Sequence, residues 1–271
     1  MPALKIVLRR CVTALAAAAI IGFSWYALQV FVPGNERYQL RFTEMDVSTP
    51  PPYVPQSWLQ DVQALGRLPE VLDTRAKDLP SQLRQAFAAS PWVDEVELVA
   101  IRSHRRIESR LHFRAPVAVV PVESDAYLVD AKGIALPRGP QTTALEALLL
   151  PIRGAASAPH QGFGRSWGNA AVETAAGVAA AIRSERETWQ IVAIELGADP
   201  LRSDVRLRTR KGTVVIWQTI GGDSNRETSS AEKVRHLRDY SARFGSLDQP
   251  SGPYELDLRF PEGILRRPLA P

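Results

Sequence analysis

Hydrophobic and polar positions follow one another along this chain in three ways, and each way predicts a different kind of element. The first is an unbroken apolar run. From Cys11 to Val32 the sequence reads CVTALAAAAIIGFSWYALQVFV, twenty-two residues without a charge or a proline. At about 1.5 Å per residue a helix here is roughly 33 Å long, enough for a hydrocarbon core of about 30 Å, so the run predicts one membrane-spanning helix. Its polar side chains, Thr13, Ser24 and Gln29, cost little, because a helix satisfies its own backbone and hydroxyls bond carbonyls one turn back. Trp25 and Tyr26 fall toward the outer half, where such rings settle near headgroups. Lys5, Arg9 and Arg10 precede the run, while Glu36 and Arg37 cancel behind it. That bias predicts a cytoplasmic tail over 1–10, a span over 11–32 and export of the remainder. A cleaved leader fits less well: the run exceeds the usual length of about 7–15 residues, and no small-x-small site follows.

The second way is a period of three to four. After STPPPYVP, whose prolines at 50–52 and 55 exclude regular structure, Trp58 to Leu65 predicts a short helix. Leu79, Leu83 and Phe87 recur at helical spacing in LPSQLRQAFAAS, with Pro80 suited to a first turn and Pro91 as the stop. Ala170 to Ile182 predicts an alanine-rich helix with a weak stripe of Val172, Ala176, Ala179 and Arg183. The best-specified helix covers Ser229 to Phe244. Ser229 and Glu232 fit a capping box, Val234, Leu237, Tyr240 and Phe244 form its buried face, and Gly245 ends it.

The third way is a period of two. It predicts a strand over Tyr38 to Val47, another carrying Val93, Val96, Leu98 and Ala100, a basic turn (Arg102, His104, Arg105, Arg106), and a return strand with Ile107, Ser109, Leu111 and Phe113 on one face. VAVVPV and AYLVD follow, then a tight Asp130-Ala-Lys-Gly133 turn into IALP. The stretch 137–168 is rich in Gly, Pro and Ser and reads as loop around a buried LEALLLPI. IVAIELG, DVRLRTRKG and TVVIWQT come next. In the middle one Val205, Leu207 and Thr209 face one way and Arg206, Arg208 and Arg210 the other, a half-buried antiparallel strand, with Lys211-Gly212 turning into the next. A final strand over Tyr254 to Phe260 puts Tyr254, Leu256, Leu258 and Phe260 inward and Glu255, Asp257 and Arg259 outward. The tail 261–271, with three prolines, is expected to be flexible. The expected class is α+β: a single N-terminal transmembrane helix, a small αβ module over 38–116, and a mixed or antiparallel β domain with flanking helices over 117–260.

Composition narrows the choice of partner. The chain carries 33 basic and 29 acidic residues; three basic side chains precede the apolar run, leaving 30 against 29 beyond it. A nearly neutral body argues against a nucleic-acid-binding stripe. The basic turn reads as solvated, with anionic lipid or an acidic partner as the other reading. Cys11, the single cysteine, falls in the apolar run, so no disulfide supports the cores.

The sequence carries no recognisable catalytic or metal-binding motif. His104, His112, His160 and His236 lack metal-ligand spacing, and there is no G-x-S-x-G elbow or phosphate loop. GFGRSWG at 162–168 follows coil rather than strand and reads as flexible surface. Asp94/Glu95 and Glu185/Glu187 are neighbours in sequence, and nothing places them across a cleft. Catalytic residues, metal, cofactor and small-molecule substrate are therefore expected to be absent, and attention moves to a charged strand at a sheet edge, which accepts a partner's strand through backbone hydrogen bonds.

The segments FAASPWVDEVELVAIRSHRRIESRLHFRAPVAVV at 87–120 and AYLVDAKGIALP at 126–137, with TVVIWQTIGG, AEKVRHLRDY and YELDLRF further on, resemble the bacterial division proteins of the FtsQ/DivIB family. The carrying features are Pro91-Trp92, Pro116-Val117, the Asp130 to Gly133 turn and the late Asp257 to Phe260. The proline-rich insert and the long 138–168 loop depart from the family pattern. The resemblance implies a POTRA-like domain over 38–116 and an FtsQ-type β domain over 117–260. It implies a non-enzymatic divisome scaffold in the cell inner membrane, N-terminus cytoplasmic and domains periplasmic, placed at the division septum. Its partners would be small bitopic coiled-coil divisome proteins and other septal proteins, bound around Tyr240, Tyr254, Asp257, Arg259 and Phe260. The alternative expectation is a POTRA-containing envelope scaffold for protein assembly or secretion.

Overall fold

Local residue chemistry sets where the elements of the first half begin and end. In a computed structural model that describes residues 19–24, 26, 36–198, 203–221 and 228–269, this half runs β1 (Gln39–Arg41), β2 (Asp46–Val47), α1 (Trp58–Leu65), β3 (Val71–Asp73), α2 (Leu79–Ala89), β4 (Val93–Ser103) and β5 (Arg106–Phe113). The single strand expected over Tyr38 to Val47 is broken by a 3-10 turn at Phe42–Glu44, which buries Phe42. β1 pairs with β3, whereas β2 lies parallel to β5, and β5 is antiparallel to β4. Trp58 and Val62 of α1 and Leu79, Leu83 and Phe87 of α2 are buried in one cluster with Val93, Val99, Ile107 and Leu111 of the sheet. The periodicity of three to four thus meets the periodicity of two across one core.

The second half forms one mixed sheet. Its elements are β6 (Pro116–Val122), β7 (Asp125–Asp130), β8 (Ala135–Leu136), α3 (Thr143–Glu146), β9 (Leu150–Arg153), α4 (Ala170–Ala181), β10 (Ile191–Leu196), β11 (Asp204–Thr209), β12 (Val214–Thr219), α5 (Ser230–Phe244), β13 (Tyr254–Asp257) and β14 (Leu265–Pro268). The nine strands are ordered β14-β13-β12-β11-β10-β9-β6-β7-β8. The pairs β6/β9, β9/β10 and β12/β13 are parallel and the others antiparallel. Residues of α4 and α5 share a core with one sheet face, which includes Trp167, Trp189, Ile194, Leu207, Trp217 and Leu256. Toward the β8 end, Leu128, Leu136 and Leu149 belong instead to the core of the first half.

The turn read from Asp130 to Gly133 is built by one carboxylate. Asp130 Oδ1 accepts the N–H groups of Lys132 and Ile134, each at 2.9 Å, and Gly133 takes the positive φ of 73° that the turn requires. Asp130 Oδ2 also accepts from Arg114 at 2.8 Å, and Arg114 reaches Asp94 at 2.9 Å, so one guanidinium ties the two halves together.

Two further expectations are overturned. Among the described residues no helix is long and apolar enough to cross a membrane. Within Cys11 to Val32 the described helical residues are 19–24 and 26. The rest of that stretch, and residues 1–10, lie outside the described residues. The transmembrane helix is accordingly corrected, and with it fall the inner-membrane, periplasmic and septal localisation and the membrane-anchored divisome or envelope scaffold. The second correction concerns the chain end. Residues 265–268 of the expected flexible tail form β14, which pairs antiparallel with β13. Tyr254 to Phe260 is therefore not the last strand.

Candidate protein-docking edge

The two ends of the large sheet differ. At the β8 end, the Ala135 N–H donates to the Arg165 carbonyl at 3.0 Å and the Gly164 N–H to the Ala135 carbonyl at 2.8 Å. The GFGRSWG segment, expected as flexible surface, thus caps this edge and buries Trp167. At the other end β14 is outermost among the described residues. The Leu269 N–H donates to the Pro253 carbonyl at 3.1 Å, and Tyr254 directs its N–H to Thr213 Oγ1 rather than to Pro268. By antiparallel alternation, Arg267 and Leu265 exchange bonds with β13, so the Arg266 N–H and the carbonyls of Arg266 and Pro268 face outward. Pro268 has no N–H to offer, which shortens this edge without closing it.

Helix α5 walls the edge. Its capping box closes as the sequence specifies: Glu232 N–H meets Ser229 Oγ at 3.3 Å, and Ser229 N–H meets Glu232 Oε2 at 3.0 Å. Gly245 ends it at φ 90°. Between α5 and β14 runs a groove of about 370 Å³, lined chiefly by His236, Tyr240, Arg243, Phe244, Ile264 and Arg266. Arg266 spans it. Its guanidinium lies 4.9 Å from the Tyr254 ring centre and 5.3 Å from that of Phe244, and approaches the Tyr240 hydroxyl at 3.5 Å. Phe260 and Leu265 are 45% and 40% exposed beside a second hollow around Ile264.

The five residues assigned to partner binding separate into three places. Tyr240 lines the groove and Tyr254 is buried beneath Arg266, and the Tyr240 hydroxyl donates to the Gln249 carbonyl at 3.1 Å. Asp257, read as outward, is 1% exposed. Arg259 clasps it with Nε at 2.9 Å and Nη2 at 2.7 Å, and the Arg259 N–H donates to the same carboxylate. Burial pushes the Asp257 carboxyl up, but the Arg259 side-chain and backbone hydrogen bonds and the charges of Arg259 and Arg267 outweigh it and hold it below the usual range. Phe260 lies beyond the end of β13, on the exposed turn toward β14. Ile264, Leu265 and Arg266 were missed because they fall in the stretch read as tail. The signal was the apolar pair Ile264-Leu265 between Gly263 and Arg266.

Elsewhere several of the charged candidates are paired. A Lys132 hydrogen bond, with the charges of Arg114 and Lys132, holds Asp94 below its usual range against a burial cost. Glu185 accepts from Arg238 at 2.8 Å, and in the basic turn Arg102 and Arg106 pair with Glu108 and Asp46. Among the described residues no cluster of three or more His, Cys, Asp or Glu is placed to hold a metal ion. No protein-family model matches the chain, and no curated protein matches it.

Proposed function

We propose that this chain is a non-enzymatic protein-docking module whose partner adds a strand to β14 and places side chains in the groove against α5. The observation that carries this is the asymmetry of the nine-stranded sheet: one end is capped by the chain's own loop, the other presents Arg266 and Pro268 backbone groups beside an apolar, arginine-bridged groove. Arginine pairing of Asp94 and Glu185 supports a non-catalytic reading of those carboxylates. The edge strand β4 is a poorer acceptor, since the Arg84 guanidinium already donates to its Val96 carbonyl at 2.8 Å.

For the kind of partner, the resemblance to the FtsQ/DivIB family is carried forward as a proposal: a small coiled-coil division protein. The β2-β5-β4 sheet with two helices between its first two strands in sequence supports the POTRA-like part of that resemblance. The test is a photo-crosslinking residue placed at Leu265 and Arg267, and at Gln85 on α2 as a control, in the native cell. An adduct to a small coiled-coil protein at the two edge positions but not at Gln85 is expected. No adduct, or equal labelling at all three, overturns the docking edge; an edge-specific adduct to an unrelated protein overturns the family.

A further inference from the structure

Where α3, β9 and α4 meet, a partly enclosed cavity of about 130 Å³ has an apolar wall of Val117, Leu145, Leu149, Leu150 and Ala179, with the exposed Leu148 at its rim, and two arginines, Arg183 and Arg186. Its volume is close to the engineered apolar cavity of about 150 Å³ that stays dry and takes up a small hydrocarbon. The arginines make this one amphiphilic. Arg186 hydrogen-bonds the Leu148 carbonyl through Nη1, but its buried Nε–H has no hydrogen-bond partner, the nearest carboxylate, Glu187 Oε1, standing off at 3.8 Å. A buried donor left without an acceptor costs about 1–3 kcal/mol, so an anion arriving there removes a standing penalty.

The cavity also lies at the seam of the two halves. Leu149 belongs to the core of the first half and Leu145 packs against it, whereas Ala179 belongs to the core of the second. Pockets concentrate at such seams. The geometry points to a binding site for a small amphiphilic carboxylate, its alkyl chain among the leucines and its head between Arg186 and Arg183. Arginine is suited to that head because its fork matches a carboxylate.

Binding is tested on the full chain by calorimetric titration with hexanoate, with hexanol and acetate as companions. Saturable binding of hexanoate, at least about tenfold tighter than either companion, is expected, because each companion lacks one of the two recognised parts. Arg186→Gln should weaken hexanoate about tenfold while leaving hexanol unchanged, and Ala179→Met, which fills the cavity, should abolish both. Circular dichroism and melting temperature confirm that each variant is folded; Arg186→Gln, at a side chain 24% exposed, keeps the test alive where the cavity-filling variant unfolds. Equal affinity for hexanol and hexanoate, or no saturation, overturns the site.

Discussion

At the scale of single residues, the side chains that matter most are buried polar groups held by one partner each. Asp257 is the clearest. Its folded carboxyl titrates below the ordinary range, and the unfolded carboxyl titrates near about 3.9. Because the folded value is depressed, the stabilisation is fully present above the unfolded value and is lost as pH falls through the folded one. Asp257→Asn should therefore flatten the acid limb of a urea-midpoint profile below about pH 4, relative to the parent, with little change of slope above it. Parallel acid limbs would sink the assignment. Asp248 offers a second case: it is 6% exposed and accepts the Thr209 hydroxyl at 2.7 Å, while Thr209 Oγ1 accepts the Thr213 N–H at 3.0 Å. Asp248→Ala strands that hydroxyl and should cost about 2 kcal/mol in chemical denaturation. Neither role was legible in the sequence. A carboxylate in a strand reads as outward by alternation, and only the return of Arg259 two residues later, with Thr219 Oγ1 at 3.0 Å from Arg259 Nη1, turns Asp257 into a clasp.

At the scale of elements, legibility followed the strength of the local signal. The ends of helix α5 were readable to the residue because cap and terminal glycine agree, and three of its four stripe residues, Val234, Leu237 and Tyr240, are buried, with Lys233 buried unread beside them. The cap is testable by itself: Ser229→Ala removes an acceptor for an orphan N–H and should lower thermal stability by about 1 kcal/mol, whereas Ser241→Ala on the same helix should not. Strands β11 and β5 were equally clear, since Val205, Leu207 and Thr209, or Ile107, Ser109 and Leu111, are buried in alternation. What failed was composition used in place of pattern. Three prolines made 261–271 look frayed, yet Pro268 occupies an edge, where a missing N–H is tolerated, and Leu265 with Arg267 has the period of a strand. Glycines made 162–168 look mobile, yet Trp167 anchors that segment in the core of the large sheet. The candidate edge is built on the first of these, which explains why the sequence located its neighbourhood, Tyr240 and Tyr254, without its outer strand.

At the scale of the whole molecule, the question is whether the two halves divided near Pro116 are independent. The core argues that they are not. Leu128 and Leu136 have no exposed surface and Leu149 is 9% exposed, and all three belong to the cluster built by Trp58, Leu83 and Phe87 rather than to that of their own sheet. Arg114, 13% exposed at its side chain, holds Asp94 on one side of the seam and Asp130 on the other. Each half thus completes a core that the other leaves open, and burying a leucine is worth about 1.5–3 kcal/mol. Leu136→Ala, which opens the seam from the second half alone, should cost about 2–5 kcal/mol and lower the stability of both halves together. Urea unfolding can report on each separately, through a fluorinated tryptophan followed by ¹⁹F NMR, with Trp58 and Trp92 in the first core and Trp167 and Trp217 in the second. Coincident transitions that shift together in the variant are the expected result. Two separated transitions, with only the Trp167 and Trp217 signals moved, would show instead that the seam couples nothing and that the halves fold alone.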